Sequence, residues 1–216
     1  MDLYSFFNSS TSYRVRIALA LKGVEVNLLP VNLRSNAHHA PDYKDKNPAA
    51  GVPLLVDGDF RLGQSLAIID WLDARYPQPR LIPQDPELRA QVLEMALLVA
   101  CDMHPLNNLR VLRYLVKELG VDEAAKNAWY AHWVAEGFNG LEALLARAGK
   151  GKDPAQFCVG GQVSLADCCL VPQVANAQRM GCDLSPWPRV MAVYEHCTAL
   201  PAFVAAAPGQ QPDWQP

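Results

Sequence analysis

The first 23 residues, MDLYSFFNSSTSYRVRIALALKG (Met1–Gly23), decide how the rest of the chain is read. Asp2 to Phe6 has the makeup of a short strand, and Ser12 to Lys22 that of a helix closed by Gly23. Between them FNSSTSYR (Phe7–Arg14) crowds Ser9, Ser10, Thr11 and Ser12 into a strand-to-helix turn. Hydroxyls at such a turn are ordinary helix-capping chemistry. A helix start also presents unpaired N–H groups and about half a positive charge, so it attracts an anion and lowers the pKa of a thiol held there. No cysteine occupies the turn, so a thiolate would have to arrive with a ligand, met by the Ser9 and Ser10 hydroxyls. Local signal alone favours the plain cap.

Outward from this turn, V24-E25-V26-N27-L28 alternates apolar and polar residues as a half-buried strand does. Val52 to Val56 is a third strand, and Asp57-Gly58 is a two-residue turn into Phe60-Arg61-Leu62. A helix from Ser65 to Tyr76 completes a small α/β sandwich. YPQPRLIPQDP (Tyr76–Pro86) then forbids a continuing helix. Beyond it the chain reads as helices: Asp85 to Lys117, with Leu88, Val92, Met95 and Val99 at helical spacing; Asp122 to Ala148; and Ser164 to Gly181. The last opens with a capping box, S164-L165-A166-D167, and Pro172 predicts a kink. The Pro-rich end, Pro208 to Pro216, reads as frayed. The expected division is an α/β domain over 1–80, a linker over 81–86 and an all-helical domain over 87–216.

Half of the 216 residues are hydrophobic, enough for a substantial core. A formal net charge of −3 gives no basic field for nucleic acid or an anionic membrane, and no apolar run approaches a bilayer span. The N-terminus lacks a leader pattern, so a cytoplasmic location is expected. The six cysteines all lie in the second half without C-x-x-C spacing, and read as buried thiols, with no metal site. G-x-G-x-x-G, the P-loop, H-E-x-x-H and G-x-S-x-G are all absent.

Three further features carry possible chemistry. In G51-V52-P53 the peptide bond before Pro53 is compatible with either isomer; a cis bond turns the Val52 N–H and C=O outward toward an extended peptide. G63-Q64-S65 opens a helix with an amide and a hydroxyl that either cap it or meet a carboxylate. H104-P105-L106-N107-N108-L109-R110 places a proline inside the long helical pattern, with His104, Asn108 and Arg110 gathered at the expected kink. Two helix starts with polar side chains in one small domain favour a shared anionic ligand.

SSTSYRVRIALALKG (Ser9–Gly23), NPAAGVPLLVDG (Asn47–Gly58), GQSLAIIDWLDARYP (Gly63–Pro77), HPLNNLRVL (His104–Leu112) and SLADCCLVPQVANAQR (Ser164–Arg179) together resemble the zeta-class glutathione transferases. That is the family of maleylacetoacetate and maleylpyruvate isomerases. The resemblance implies an α/β thioredoxin-like N-terminal domain joined to an all-α helical C-terminal domain, glutathione as cofactor, and a homodimer. It implies that Ser9 stabilises the thiolate with Ser10 and Thr11 beside it, that Val52 pairs with the cysteinyl backbone, and that Gln64 and Ser65 hold the γ-glutamyl carboxylate. His38, His104, Asn108, Leu109 and Arg110 resemble further contacts of that site.

Two positions depart from the family pattern. Thr11 stands where a cysteine is common, and Asn8 where an arginine often clamps a substrate carboxylate. The reaction implied is cis–trans isomerisation of a maleyl-type dicarboxylate in aromatic catabolism. The borrowed sulfur adds to the cis double bond, rotation follows, and the thiolate leaves. Arg110 or Arg179 would meet the substrate's negative charge; Arg179 equally reads as a cation at a helix C-terminus. A general glutathione transferase or peroxidase for small electrophiles uses the same sulfur site, and a non-catalytic binding protein is the reading from a different class.

Overall fold

The computed structural model describes residues 1–149 and 156–215. Contacts divide the chain into two compact units, Met1–Ile82 with Thr198–Pro216, and Pro83–Cys197. The first crossing falls within the proline-rich stretch read as a linker. The C-terminal segment belongs to the first unit, whereas the sequence had assigned it to the helical domain.

In the first unit, β1 (Asp2–Ser5), α1 (Ser10–Lys22), β2 (Asn27–Pro30), α2 (Pro41–Lys44), β3 (Leu54–Asp57), β4 (Phe60–Gly63) and α3 (Ser65–Arg75) follow in order. The sheet order is β2-β1-β3-β4, with β1 parallel to β2 and antiparallel to β3. This mixed sheet with its helices is the thioredoxin-like arrangement. Leu3, Leu54, Leu55, Ile17, Ile68, Ile69 and Leu72 form its buried core. The second strand lies two to three residues later than the alternation at 24–28 suggested. Gly23 ends α1 in the left-handed conformation, φ 63°, and Val24 N–H still bonds back to Leu19. The β3–β4 turn is Gly58-Asp59, one residue beyond Asp57-Gly58, since Asp57 pairs with Phe60 and Gly58 takes φ 62°.

Two buried cations brace this unit. Arg16 donates from Nε to Ala206 C=O, from Nη1 to Ser5 Oγ and Phe6 C=O, and from Nη2 to Phe7 C=O. Burial lowers its pKa to about 10, against the opposing charge of Asp213. It joins the end of β1 and the loop before α1 to α9 (Pro201–Ala206). The proline-rich tail is therefore held in place. Gln211 Nε2 donates to Ala205 and Ala207, and Asp213 accepts the Phe7 N–H at 2.9 Å. Pro216, the last residue of the segment read as frayed, lies outside the described residues.

The second unit is helical: α4 (Pro86–Leu97), α5 (Leu109–Lys117), α6 (Glu123–Ala148), α7 (Leu165–Arg179) and α8 (Pro188–Thr198). Asp122 caps α6, and Ser164 and Asp167 form the expected capping box of α7. The single helix expected over Asp85–Lys117 is in fact two. After α4 a π-helical segment, Leu98–Met103, leads into a turn, and Asn108 caps a new helix. Pro105 lacks the N–H to continue the ladder, and the Asn108 side chain offers the backbone an alternative. Gly137 of α6 lies against Met103; a Cβ there would sit 2.1 Å from Met103 Cγ, so any larger residue would have to displace the Met103 side chain. Of the cysteines, Cys158, Cys168, Cys169 and Cys197 are buried as expected, while Cys101 is exposed and Cys182 half-buried. Among the described residues no helix is long and apolar enough to cross a membrane.

Lys22 and Asp73 form the second brace. Their side chains are 0% and 3% exposed; Lys22 donates to Asp73, Tyr76 C=O and Pro79 C=O, while Asp73 accepts from the Leu81 and Ile82 N–H groups. Lys22→Met strands the Asp73 carboxylate and should reduce stability by about 3 kcal/mol. Denaturant unfolding measures this, and a loss below about 1 kcal/mol would show that the pair is dispensable.

Candidate active site

Three segments of the first unit carry candidate site residues. At the start of α1, Ser9 is extended (φ −84°, ψ 118°) and its Oγ accepts from Ser12 N–H at 3.2 Å, as an N-cap does. The helix begins at Ser10, two residues before the expected start. Ser9 Oγ lies 2.8 Å from Thr11 Oγ1, and Thr11 Oγ1 donates to the Val52 carbonyl at 2.8 Å. A hydroxyl has one hydrogen, and the Thr11 hydrogen goes to an oxygen that can only accept. Ser9 is therefore the donor to Thr11. Capping and ligand contact do not compete here, since the cap uses a Ser9 lone pair and leaves its hydrogen to be redirected. Ser10 is buried beneath the same turn.

The second segment is the loop before β3. The Val52–Pro53 bond is cis. The preceding turn is held by the Gly51 carbonyl, which accepts from Tyr43 OH at 2.6 Å and from Asn47 Nδ2 at 2.7 Å. Burial pushes the Tyr43 phenol up to about 12, so it remains a donor throughout the neutral range. Ala50 within this turn takes φ 48°.

Third is the start of α3. Gln64, with φ 67° and ψ 114°, occupies the N-cap position without a side-chain capping bond. Ser65 is the first helical residue and not the cap, which corrects the capping reading. A side chain other than glycine at such a φ costs roughly 1–3 kcal/mol and concentrates at ligand-binding positions. The buried Ser65 Oγ accepts from Arg14 Nη1 at 3.4 Å. Arg14 is 2% exposed, and its Nε and Nη2 have no hydrogen-bond partner. Sequence reading missed Arg14, because nothing in SYRVRIAL marks that both arginines are buried or that Arg14 is the one left with donors no acceptor meets. His38, in a short 3-10 turn (Ala37–His39), has its ring against that of His39 at 4.0 Å between centroids.

The remaining candidates lie in the second unit. His104 Nε2 and Asn108 Nδ2 are 3.2 Å apart, and Asn108 Oδ1 accepts from Arg110 N–H at 3.1 Å. Leu109 and Arg110 are exposed in the first turn of α5. This segment is anchored by residues that sequence reading passed over: Asn107 Nδ2 donates to Tyr130 C=O, and Trp129 Nε1 donates to Leu106 C=O. Arg179 is exposed at the last residue of α7, where it complements the helix C-terminus. Its charge also reaches the Tyr130 phenol, opposing the burial that raises that group to about 12.

The donor set suits a peptidic thiol with a carboxylate. A hydroxyl at a helix start suits a thiolate, and an uncapped helix start backed by an open guanidinium suits a carboxylate. Such a fold and site define the glutathione transferase class. The "Glutathione S-transferase, N-terminal domain" family matches residues 1–74, and the "Glutathione S-transferase, C-terminal domain" family matches residues 127–196. A probable maleylacetoacetate isomerase of Vibrio cholerae is 46% identical over 214 residues, covering 98% of this chain and 97% of that protein. The holo structure of a zeta-class bacterial maleylpyruvate isomerase is 47% identical, with a TM-score of 0.94 and full coverage of both chains. A maleylacetoacetate isomerase of Methylobacterium extorquens AM1, solved with bound malonate and glutathione, is 33% identical with a TM-score of 0.90, again with full coverage. The chain belongs to the zeta-class glutathione transferase family of maleylacetoacetate and maleylpyruvate isomerases.

The Ser9–Thr11 bond is directly measurable in the protein without ligand. A double-mutant cycle of Ser9→Ala and Thr11→Val should give a coupling of about 0.5–1.5 kcal/mol in unfolding free energy. Additive effects would show that the two hydroxyls do not bond.

Proposed function

We propose that this protein is a glutathione-dependent cis–trans isomerase of a maleyl-type dicarboxylate, maleylacetoacetate or maleylpyruvate, serving aromatic catabolism. It works in the cytoplasm as a homodimer. The observation that carries this reading is the Ser9 hydroxyl at the start of α1, its hydrogen held on Thr11 and available to an arriving sulfur. Full-length similarity to isomerases supports the choice of reaction.

Bound glutathione supplies a thiolate nucleophile that is regenerated at the end of each cycle. Ser9 redirects its hydrogen from Thr11 toward that sulfur, and the α1 N–H groups favour its negative charge. Ser10 and Thr11 line the same turn. Val52 offers its backbone to the cysteinyl unit, and Gln64 and Ser65 take the γ-glutamyl carboxylate at the start of α3. His38, His104, Asn108 and Leu109 complete the cofactor contacts. Arg110 and Arg179 bring fixed cations to the substrate carboxylates, and charge-assisted bonds of this kind are the strong ones. Asn8 contributes a neutral hydrogen bond where an arginine would have added a third cation.

Many product molecules per glutathione are expected when maleylpyruvate or maleylacetoacetate is supplied with sub-stoichiometric glutathione. Turnover that stops when glutathione is exhausted would establish a transferase instead. Arg110→Ala should raise KM for the dicarboxylate about tenfold, one lost charged hydrogen bond, with glutathione affinity changed less than twofold. Equal losses for both ligands would contradict the assignment of Arg110 to the substrate.

A further inference from the structure

We propose that Arg14 is the buried cation that selects the γ-glutamyl carboxylate of glutathione, acting through the Ser65 hydroxyl as a positioning residue. The inference rests on the glutathione reading above. Two arginines two residues apart on α1 differ in how their donors are met. Arg14 and Arg16 are buried almost equally, at 2% and 5% exposure. Arg16 has an acceptor for Nε, Nη1 and Nη2. Arg14 donates only from Nη1, to Ser65 Oγ at 3.4 Å, and its Nε and Nη2 meet no acceptor. A buried guanidinium is strongly unfavourable unless an anion or acceptors meet it. The structure builds Arg16 as a closed brace and leaves Arg14 with open donors.

The guanidinium lies against the start of α3 through Ser65. The 11-residue helix α3 begins at Ser65 without a side-chain cap, and Gln64 is held at φ 67° directly before it. Ser65 Oγ accepts from Arg14, so the Ser65 hydrogen is available to a second acceptor. A carboxylate at the helix start then receives N–H groups, a hydroxyl polarised by a cation behind it, and the field of that cation in a poorly solvated interior. A neutral end group would gain little of this. Arg14 thereby sets specificity for a tripeptide whose amino-terminal unit carries a free carboxylate, without touching it.

The test compares glutathione with 4-aminobutyryl-cysteinylglycine, which lacks only that carboxylate, by calorimetry. Wild-type protein should bind glutathione at least tenfold more tightly. Arg14→Met should weaken glutathione about tenfold and the analogue less than twofold, and should have no further effect on this preference in a Ser65→Ala background. Should Arg14→Met fail to fold, the wild-type protein decides: the Arg14 Nε–H resonance should move on adding glutathione and stay in place with the analogue. Equal weakening of both ligands, or the same resonance shift with both, overturns the proposal. Glutathione bound normally with Arg14 indifferent overturns this inference alone; wild-type protein that ignores glutathione overturns the isomerase reading with it.

Discussion

The hydrogen of the Ser9 hydroxyl is the constraint on which the site depends. Its oxygen is fixed by the cap of α1, its hydrogen points to Thr11, and Thr11 in turn is committed to the Val52 carbonyl. This chain of two hydroxyls connects the start of α1 to the loop before β3 and holds the two segments in register. Rigidity behind it comes from Arg16, which satisfies the carbonyls of Phe6 and Phe7 immediately before the turn. A donor held in place before the ligand arrives need not be ordered when charge develops on sulfur.

Buried charge plays two different roles within one helix. Lys22 and Arg16 are cations whose donors are met by the protein, and they fasten the proline-rich segment and the C-terminal tail to α1. Arg14 is a cation whose donors are not all met, and it faces the start of α3 through Ser65. The same chemistry therefore closes the frame at two positions and leaves open donors at a third. Within the thioredoxin-like unit Ser9 and Ser65 stand at the starts of two helices, and within the helical unit His104 and Asn108 lie side by side at the start of α5.

Much of the fold was legible because its signals are local. The strand-to-helix turn, the β3–β4 hairpin and the Ser164–Asp167 capping box each rest on residues within a few positions of one another. The break after Leu97 was not legible, since apolar spacing continues through a π-helical segment and Pro105 signals a kink as readily as an end. The tail was misjudged for a related reason: Gln211 and Asp213 are fixed by partners that no local pattern reveals, one of them 206 residues away. At the site, residue types announced the hydroxyls and the amide, whereas direction did not. Which hydroxyl donates depends on the Val52 carbonyl, and which of the two buried arginines keeps open donors depends on packing.

The central claim is that the start of α1 keeps a borrowed sulfur ionised through Ser9. Ultraviolet absorbance of the thiolate, followed across pH in the glutathione complex, measures this without any substrate. The account predicts a bound thiol titrating at least one pH unit below the roughly 8.5 of a free thiol, and a return toward that value in Ser9→Ala. A bound thiol that titrates like the free one, or a Ser9→Ala profile identical to wild type, would contradict it.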